Sequence, residues 1–437
     1  MQDIKHLLSR ISFGPQPGEV ERIQQVGGDK HLDEQLHPDR IDDHSADERL
    51  AAFPSIRMST SEIINKYPKP QQFARRMKVN TADPDSRRRI REMLRDKGMQ
   101  PPEQVLQDLQ SQRLVRAVYS RRQLQEVMTD FWLNHFNIYW NKNADRWLTT
   151  SYEMHAIRPH VLGKFKDLLM ATAKSPAMLF YLDNHLSSAT KGINENYGRE
   201  LMELHTLGVD GGYTQRDVQE VARAFTGWSI NRPEMSGEFM FRPRIHDNRE
   251  KVVLGHRIDA GGGVRDGEEV IDILSKHPST AHFISTKLVR RFVADDPPPG
   301  LVQHVSGVFQ KTDGDIREMM HAIITSNEFN SPAVAGAKTK TPFEYAASAI
   351  RSLNGETDGG RQVTQAIGRM GQPLYQCQPP SGYPDRGEHW MSSGAVLERL
   401  NFAVALSANK IPGTSVQFDD PVKTVVARLG SPEFQKR

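Results

Sequence analysis

The segment Gln123-Leu124-Gln125-Glu126-Val127-Met128-Thr129-Asp130-Phe131-Trp132-Leu133-Asn134-His135 decides the fold class. Leu124, Val127, Met128, Phe131, Trp132 and His135 recur at three- and four-residue spacing, which lines one face of an α-helix and predicts helix across 123–140. Residues 112–119 and 160–171 carry the same period, and so do residues 215–228, where Val218, Val221, Ala222 and Phe225 form the stripe. Start signals accompany the periodicity. Thr214 with Asp217 is a variant capping box, and Thr341-Pro342-Phe343-Glu344 joins an N-cap Thr, a Pro at the first helical position and a Glu at the third. Asp266 with Glu269 predicts a helix opening there and running through Leu274. Another is predicted from Ser279 to Val293, closed by Asp295-Asp296-Pro297-Pro298-Pro299.

Strand signals are sparse. Phe239 and Phe241 alternate with polar neighbours, Val252-Val253-Leu254 is a short β-branched run, and the turn-like His246-Asp247-Asn248-Arg249 lies between them. That pattern predicts one small β-hairpin over 238–256. The expected architecture is mainly α, a compact multi-helix single unit with that hairpin inserted. It is expected to form one helical domain over 1–437. Its sub-regions are N-terminal helices with a charged loop (1–110), central polar-motif helices (111–237), the flap (238–265) and C-terminal helices (266–437). Three stretches read as linkers or mobile loops: the charge-dense 78–103, the glycine-rich 257–267, and 371–395 with its Gly, Pro and aromatic residues.

Composition bounds the partners. With 37% hydrophobic and 25% charged residues the chain is polar, yet far from a disordered composition. Lys+Arg 57 against Asp+Glu 54 leaves +3, a surplus too small to call for a nucleic-acid partner. The run Arg87-Arg88-Arg89 with Arg91 is diluted by Asp83, Asp85 and Glu92. No apolar run reaches the roughly 18 residues of a membrane span. One cysteine, Cys377, excludes an internal disulfide and a multi-cysteine zinc site. No apolar signal stretch follows Met1, so the chain is expected to be cytosolic or to have lost a leader.

The densest polar cluster is Asn194-Glu195-Asn196-Tyr197-Gly198-Arg199-Glu200-Leu201-Met202-Glu203-Leu204-His205. On a helix Glu200 and Glu203 are one turn apart and face the same way, with Asn196 a turn before, and Glu195 can pair with Arg199 at i, i+4. Two such carboxylates suit a metal clamp, or an acid/base pair in which like charge raises one pKa. The bland alternative is a solvated face with an ion pair. His135 sits on the apolar stripe of its helix, where a hydrogen-bonded core histidine is the ordinary outcome. His246-Asp247 can supply an oriented imidazole, or simply a turn. No His-Glu-x-x-His, Cys-x-x-Cys, EF-hand, P-loop or Gly-x-Ser-x-Gly pattern occurs.

Several stretches together resemble the bacterial domain-of-unknown-function family 1800. They are Leu7-Leu8-Ser9-Arg10 with Phe13-Gly14, Phe131 to Phe136, Asn194 through Gly208, Tyr213-Thr214 through Trp228, His246-Asp247, Lys340 to Glu344, and Ser431 to Phe434. The resemblance covers nearly the whole chain. It implies an exported protein, periplasmic or extracellular, often encoded beside proteins that resemble alkaline phosphatases and sulfatases. The family pattern tolerates an aromatic at position 205, which leaves Asn194, Glu195, Asn196, Arg199, Glu200 and Glu203 as the stronger candidates, and it carries over no catalytic residue.

The expected function is an extracytoplasmic hydrolase of a glycan or other polymer. Glu200 or Glu203 would be the general acid or base, and His135 and His246-Asp247 would position substrate or water. Asn194, Glu195, Asn196 and Arg199 would line the site, and Trp228, Tyr383 and Trp390 would wall a sugar cleft. One alternative is a non-catalytic partner or chaperone of a secreted phosphatase- or sulfatase-like protein. The other is a metalloprotein using His135, Glu200, Glu203 and a second His. No cofactor is expected in the first reading, and a divalent metal only in the last.

Overall fold

The computed structural model describes residues 3–79 and 85–437. Helices dominate, and the described strands form three two-stranded antiparallel sheets. One cluster of buried apolar side chains runs from Ile4 to Leu429, and two smaller ones lie apart from it. Among the described residues no helix is long and apolar enough to cross a membrane.

The deciding helix is Gln123–His135, shorter than the periodicity suggests because Phe136 turns out of helical geometry at φ −100°, ψ 51°. Trp132 is fully buried beside Phe131, Phe136 and Phe165, and its indole N–H donates to the Val161 carbonyl at 3.1 Å. The large apolar surface is thus buried with its one polar atom satisfied.

Both capping boxes form. Thr214 and Asp217 open Gln215–Ala224, and Thr341 and Glu344 open Pro342–Ser352. The helix predicted from Asp266 begins a turn earlier, as Val264–Lys276, with Gly263 at its N-cap; Asp266 points into the core instead. The helix predicted from Ser279 is Pro278–Phe292. The Asn-Glu-Asn segment is a short helix, Asn196–Glu200, running into a π-helical turn, Leu201–Thr206, where the Leu207 N–H reaches the Met202 carbonyl at 2.8 Å. Such turns insert one extra residue and re-aim the side chains around them.

The single hairpin expected over 238–256 is two hairpins. Glu238–Phe241 pairs backwards with Trp228–Asn231, and Lys251–Val253 pairs forwards with His256–Ile258. The second closes on Leu254-Gly255, both at positive φ (50° and 79°), the conformation of a two-residue type I′ turn. A leucine at the first of these positions hides the turn from a sequence reading. Within the stretch read as a charged linker, Ser86–Asp96 is a helix whose Ile90 and Leu94 pack with Phe73 and Ala74. Asp83 of that stretch lies outside the described residues.

The stretch 371–395 is irregular up to a short turn at Gly387–Trp390, yet it is packed: Tyr375, Cys377 and Trp390 are buried. It is tied to the Gln123–His135 helix through Asn134, whose Nδ2 donates to the Tyr383 carbonyl (2.9 Å) and whose Oδ1 accepts from the Tyr383 N–H (2.7 Å). Gly382 makes this approach sterically feasible. Its φ is +73°, and a Cβ there would lie 2.3 Å from the Asn134 carbonyl oxygen.

Candidate functional site

The Asn-Glu-Asn segment starts from its turn. Asn194 Oδ1 accepts from the Asn196 N–H (2.9 Å), and exposed Asn196 donates to the Leu182 carbonyl (3.3 Å). Glu195 meets Arg199 at 3.4 Å, as i, i+4 spacing suggests, and both bind the Gln215 amide, at 2.7 and 3.0 Å. These four residues therefore hold the short helix to its neighbours.

Glu200 and Glu203 are half-buried and differ from them. Among the described residues neither forms an ion pair, and Glu200 has no hydrogen-bond partner. Glu203 accepts from the Tyr213 hydroxyl at 3.3 Å. Burial, and then the neighbouring Glu203 carboxylate, raise the Glu200 pKa above its ordinary value, with Arg199 pulling weakly the other way. Glu200 also helps raise the pKa of the Tyr181 phenol, after burial and Cys377. Tyr181 in turn donates to the Gln378 carbonyl at 2.6 Å, so the 371–395 stretch reaches the side of the helix that carries the carboxylates.

The distant imidazoles do not join this pair. His135 is buried, its Nε2 is 3.1 Å from the His205 carbonyl oxygen, and burial followed by the Lys287 charge holds its pKa well below the ordinary value. His205 is likewise buried, and its pKa is pushed down to about 3 by burial and then Lys287. His246 is enclosed, its Nδ1 2.7 Å from the Thr226 carbonyl and its Nε2 3.1 Å from Asp266 Oδ2. Lys251 reaches the same Asp266 oxygen at 2.5 Å. Burial pushes the Asp247 carboxyl up, but hydrogen bonds from Arg249 and Arg223 outweigh it and hold it far below the carboxylate range. His246 and Asp247 thus tie the segment between the two hairpins to the end of the Gln215–Ala224 helix and to Val264–Lys276. Trp228 is 0% exposed, packed edge-on against Phe225 and Phe239, and offers no face to a sugar. Among the described residues no group of three or more His, Cys, Asp or Glu side chains is placed to hold a metal ion.

Tyr383 and Trp390 do come together, their rings 6.0 Å apart, on the wall of a cavity of about 70 Å³. The Gln123–His135 helix contributes Asp130, Phe131 and Asn134. The Pro278–Phe292 helix contributes Lys287 and Arg291, and Thr341 and Glu344 come from the start of Pro342–Ser352. Arg113, Lys338 and Arg437 complete its positive lining. Glu344 serves twice. One carboxylate oxygen caps its helix by accepting from the Thr341 N–H (2.8 Å), while the other faces Arg291 (2.6 Å) and Arg437 (3.4 Å). Tyr375, also on the wall, holds φ +64°, uncommon for a bulky residue, and its hydroxyl bonds the buried Glu153. Behind it Arg158 forks onto Glu126 (2.9 and 2.8 Å) and binds Glu153 (2.9 Å).

Sequence reading missed the cationic lining because its members come from four separate segments. A usable signal was Arg113 one turn from both Leu109 and Ala117 on a helix, a place where a charge needs a buried partner. Its partner is Asp130. Burial pushes the Cys377 thiol up to about 11, which disfavours its thiolate.

No curated protein and no solved structure matches the chain. A family model described as a protein of unknown function, DUF1800, matches residues 6–437. That span takes in the Asn-Glu-Asn helix, both capping boxes and every residue of the cavity wall, and the chain belongs to this family.

Proposed function

We propose that this chain is an exported hydrolase of a glycan or other polymer, with Glu200 as general acid and Glu203 as the second carboxylate. The observation that carries the reading is the state of Glu200: half-buried, without an ion pair among the described residues, and with its pKa raised by burial and by Glu203. A carboxyl whose pKa is raised beside a second carboxylate is the arrangement that splits acid from base in hydrolytic sites. The Tyr213 hydroxyl donates to Glu203 on that side of the helix. The family resemblance supports export. The test is turnover on a panel of chromogenic glycosides and of neutral and acidic polysaccharides. Glu200→Gln is expected to lower the rate by about 100-fold or more. Full activity in the Glu200→Gln/Glu203→Gln double variant would refute the reading.

One further observation favours the non-catalytic alternative. Leu397, Leu400 and Val404 are 57%, 39% and 52% exposed and lie at helical spacing along Ser393–Ser407, an apolar stripe of the kind that docks a protein. Under that reading the chain forms a stoichiometric complex with a secreted phosphatase- or sulfatase-like protein, and Leu397→Asp with Val404→Asp dissociates it. Gel filtration of the co-expressed pair decides.

A further inference from the structure

We infer that the cavity beneath Tyr383 and Trp390 is a binding site for a compact oxyanion: a carboxylate, sulfate or phosphate group, free or carried on a larger molecule. The inference stands apart from the carboxyl pair, since neither Glu200 nor Glu203 lines this cavity.

Charge is the first ground. Arg113, Lys287, Arg291, Lys338 and Arg437 line the space, against the acids Asp130, Glu344 and Asp385. Each acid is already engaged: Asp130 by Arg113, Glu344 by Arg291 and Arg437, Asp385 by Lys287 at 2.9 Å. Lys338 has Asp295 as its partner from just outside the wall. The pairing therefore gives two guanidiniums to the single Glu344 carboxylate. One of that carboxylate's oxygens is also committed to the helix cap, so the Arg291–Arg437 pair is under-neutralised.

Unmet donors are the second, independent ground. Among the described residues Arg113 Nε, Arg291 Nη1 and Arg437 Nη1 are buried without a hydrogen-bond acceptor, and Arg291 Nη2 and Arg437 Nε share the one Glu344 oxygen at 2.6 and 3.4 Å. Arg113 and Arg437 are only 8% and 6% exposed, so bulk water does not satisfy them. A buried donor without an acceptor costs about 1–3 kcal/mol, more on a charged group, and native interiors rarely keep several in one place. An oxyanion supplies two to four acceptor oxygens in the geometry a guanidinium fork prefers. A cavity of about 70 Å³ is large enough for such a group. Thr339 and Thr341 add hydroxyls to the wall, and the rings of Phe131, Tyr375, Tyr383 and Trp390 exclude solvent around the charge, which strengthens the interaction.

The experiment is isothermal titration calorimetry and thermal melting of the full chain with sodium sulfate, phosphate, acetate and glucuronate, each against sodium chloride at matched ionic strength. A site gives saturable binding with a Kd of about 1 mM or tighter for at least one oxyanion, and a rise in Tm that chloride does not reproduce. Acetate against sulfate and phosphate separates a carboxylate site from a tetrahedral one, and glucuronate against acetate shows whether a sugar-borne group enters. Lys287→Gln, whose partner Asp385 is partly exposed, is expected to fold and to weaken binding at least threefold. Arg291→Lys keeps the charge but loses the fork and should weaken it about tenfold. Glu200→Gln should leave it unchanged, so loss of hydrolysis and loss of anion binding are read separately. Equal Tm shifts for every salt, in wild type and Lys287→Gln alike, would mean an adventitious ion only and would overturn the site.

Discussion

His135 Nε2 lies 3.1 Å from the carbonyl oxygen of His205, a bond that joins the end of the Gln123–His135 helix to the π-helical turn bearing Glu203. The two imidazoles are buried beside Phe136, with Phe283 also against His135 and Lys287 adding its charge to both, and the acceptor is a backbone group of the widened turn. His135 therefore acts on the carboxylate segment as a brace. Its neutral ring donates one hydrogen bond, and burial keeps it from titrating near neutrality.

This separates the two histidines. Among the described residues His205 Nε2 has no partner, so His205→Phe removes little beyond an unsatisfied polar atom and should change unfolding free energy by less than about 1.5 kcal/mol. His135→Ala loses the bond and leaves a cavity, and should cost about 2–4 kcal/mol. Urea denaturation of both variants, read by tryptophan fluorescence, makes the comparison.

Lys340 gives a pH signature. Burial holds its ammonium down to about 7, although Glu344 pulls the other way; its Nζ donates to Ser348 at 2.8 Å and sits over the Phe434 ring. Because the folded-state pKa is depressed, the folded chain binds fewer protons than the unfolded one between about pH 7 and the ordinary lysine value. Stability from this group is therefore present at high pH and lost as pH falls through about 7. Lys340→Met should flatten that limb of the stability–pH curve and raise Tm most at pH 6. A Tm that rises equally at pH 6 and pH 10 would contradict the assignment.

Gly382 controls the cavity wall. Gly382→Ala places a methyl against the Asn134 carbonyl and demands φ +73° of a residue with a Cβ, for a cost of about 1–3 kcal/mol. The displaced Tyr383 should also lose protection of its amide, which is bonded to Asn134 at 2.7 Å. Hydrogen exchange at Tyr383 reports this directly.

The helices were legible because their signals are local. An apolar stripe at period 3.6 and a capping box are written within a dozen residues, and Thr214–Asp217 and Thr341–Glu344 behave as written. The β pairing was not, because Phe239 could be matched to Val253 or to Ile230 by pattern alone, and only the Leu254-Gly255 turn decides. At the site, the Glu195–Arg199 pair follows from spacing. The fates of His135 and Trp228 do not, since burial depends on what packs over a helix face from elsewhere. The basic cavity was the least legible feature of all. Glu344 reads as a helix cap, and nothing near it in sequence shows that Arg291 and Arg437 converge on its second oxygen.

The most direct measurement is a carboxyl ¹³C NMR titration of Glu200 in the wild-type chain and in Glu203→Gln. The Glu200 carboxyl should titrate above the ordinary glutamate range in the wild type, and removing the Glu203 charge should bring it part of the way down, leaving the share due to burial. A Glu200 resonance that titrates at the ordinary glutamate value, and does not move when Glu203 is replaced, would contradict the acid/base pair.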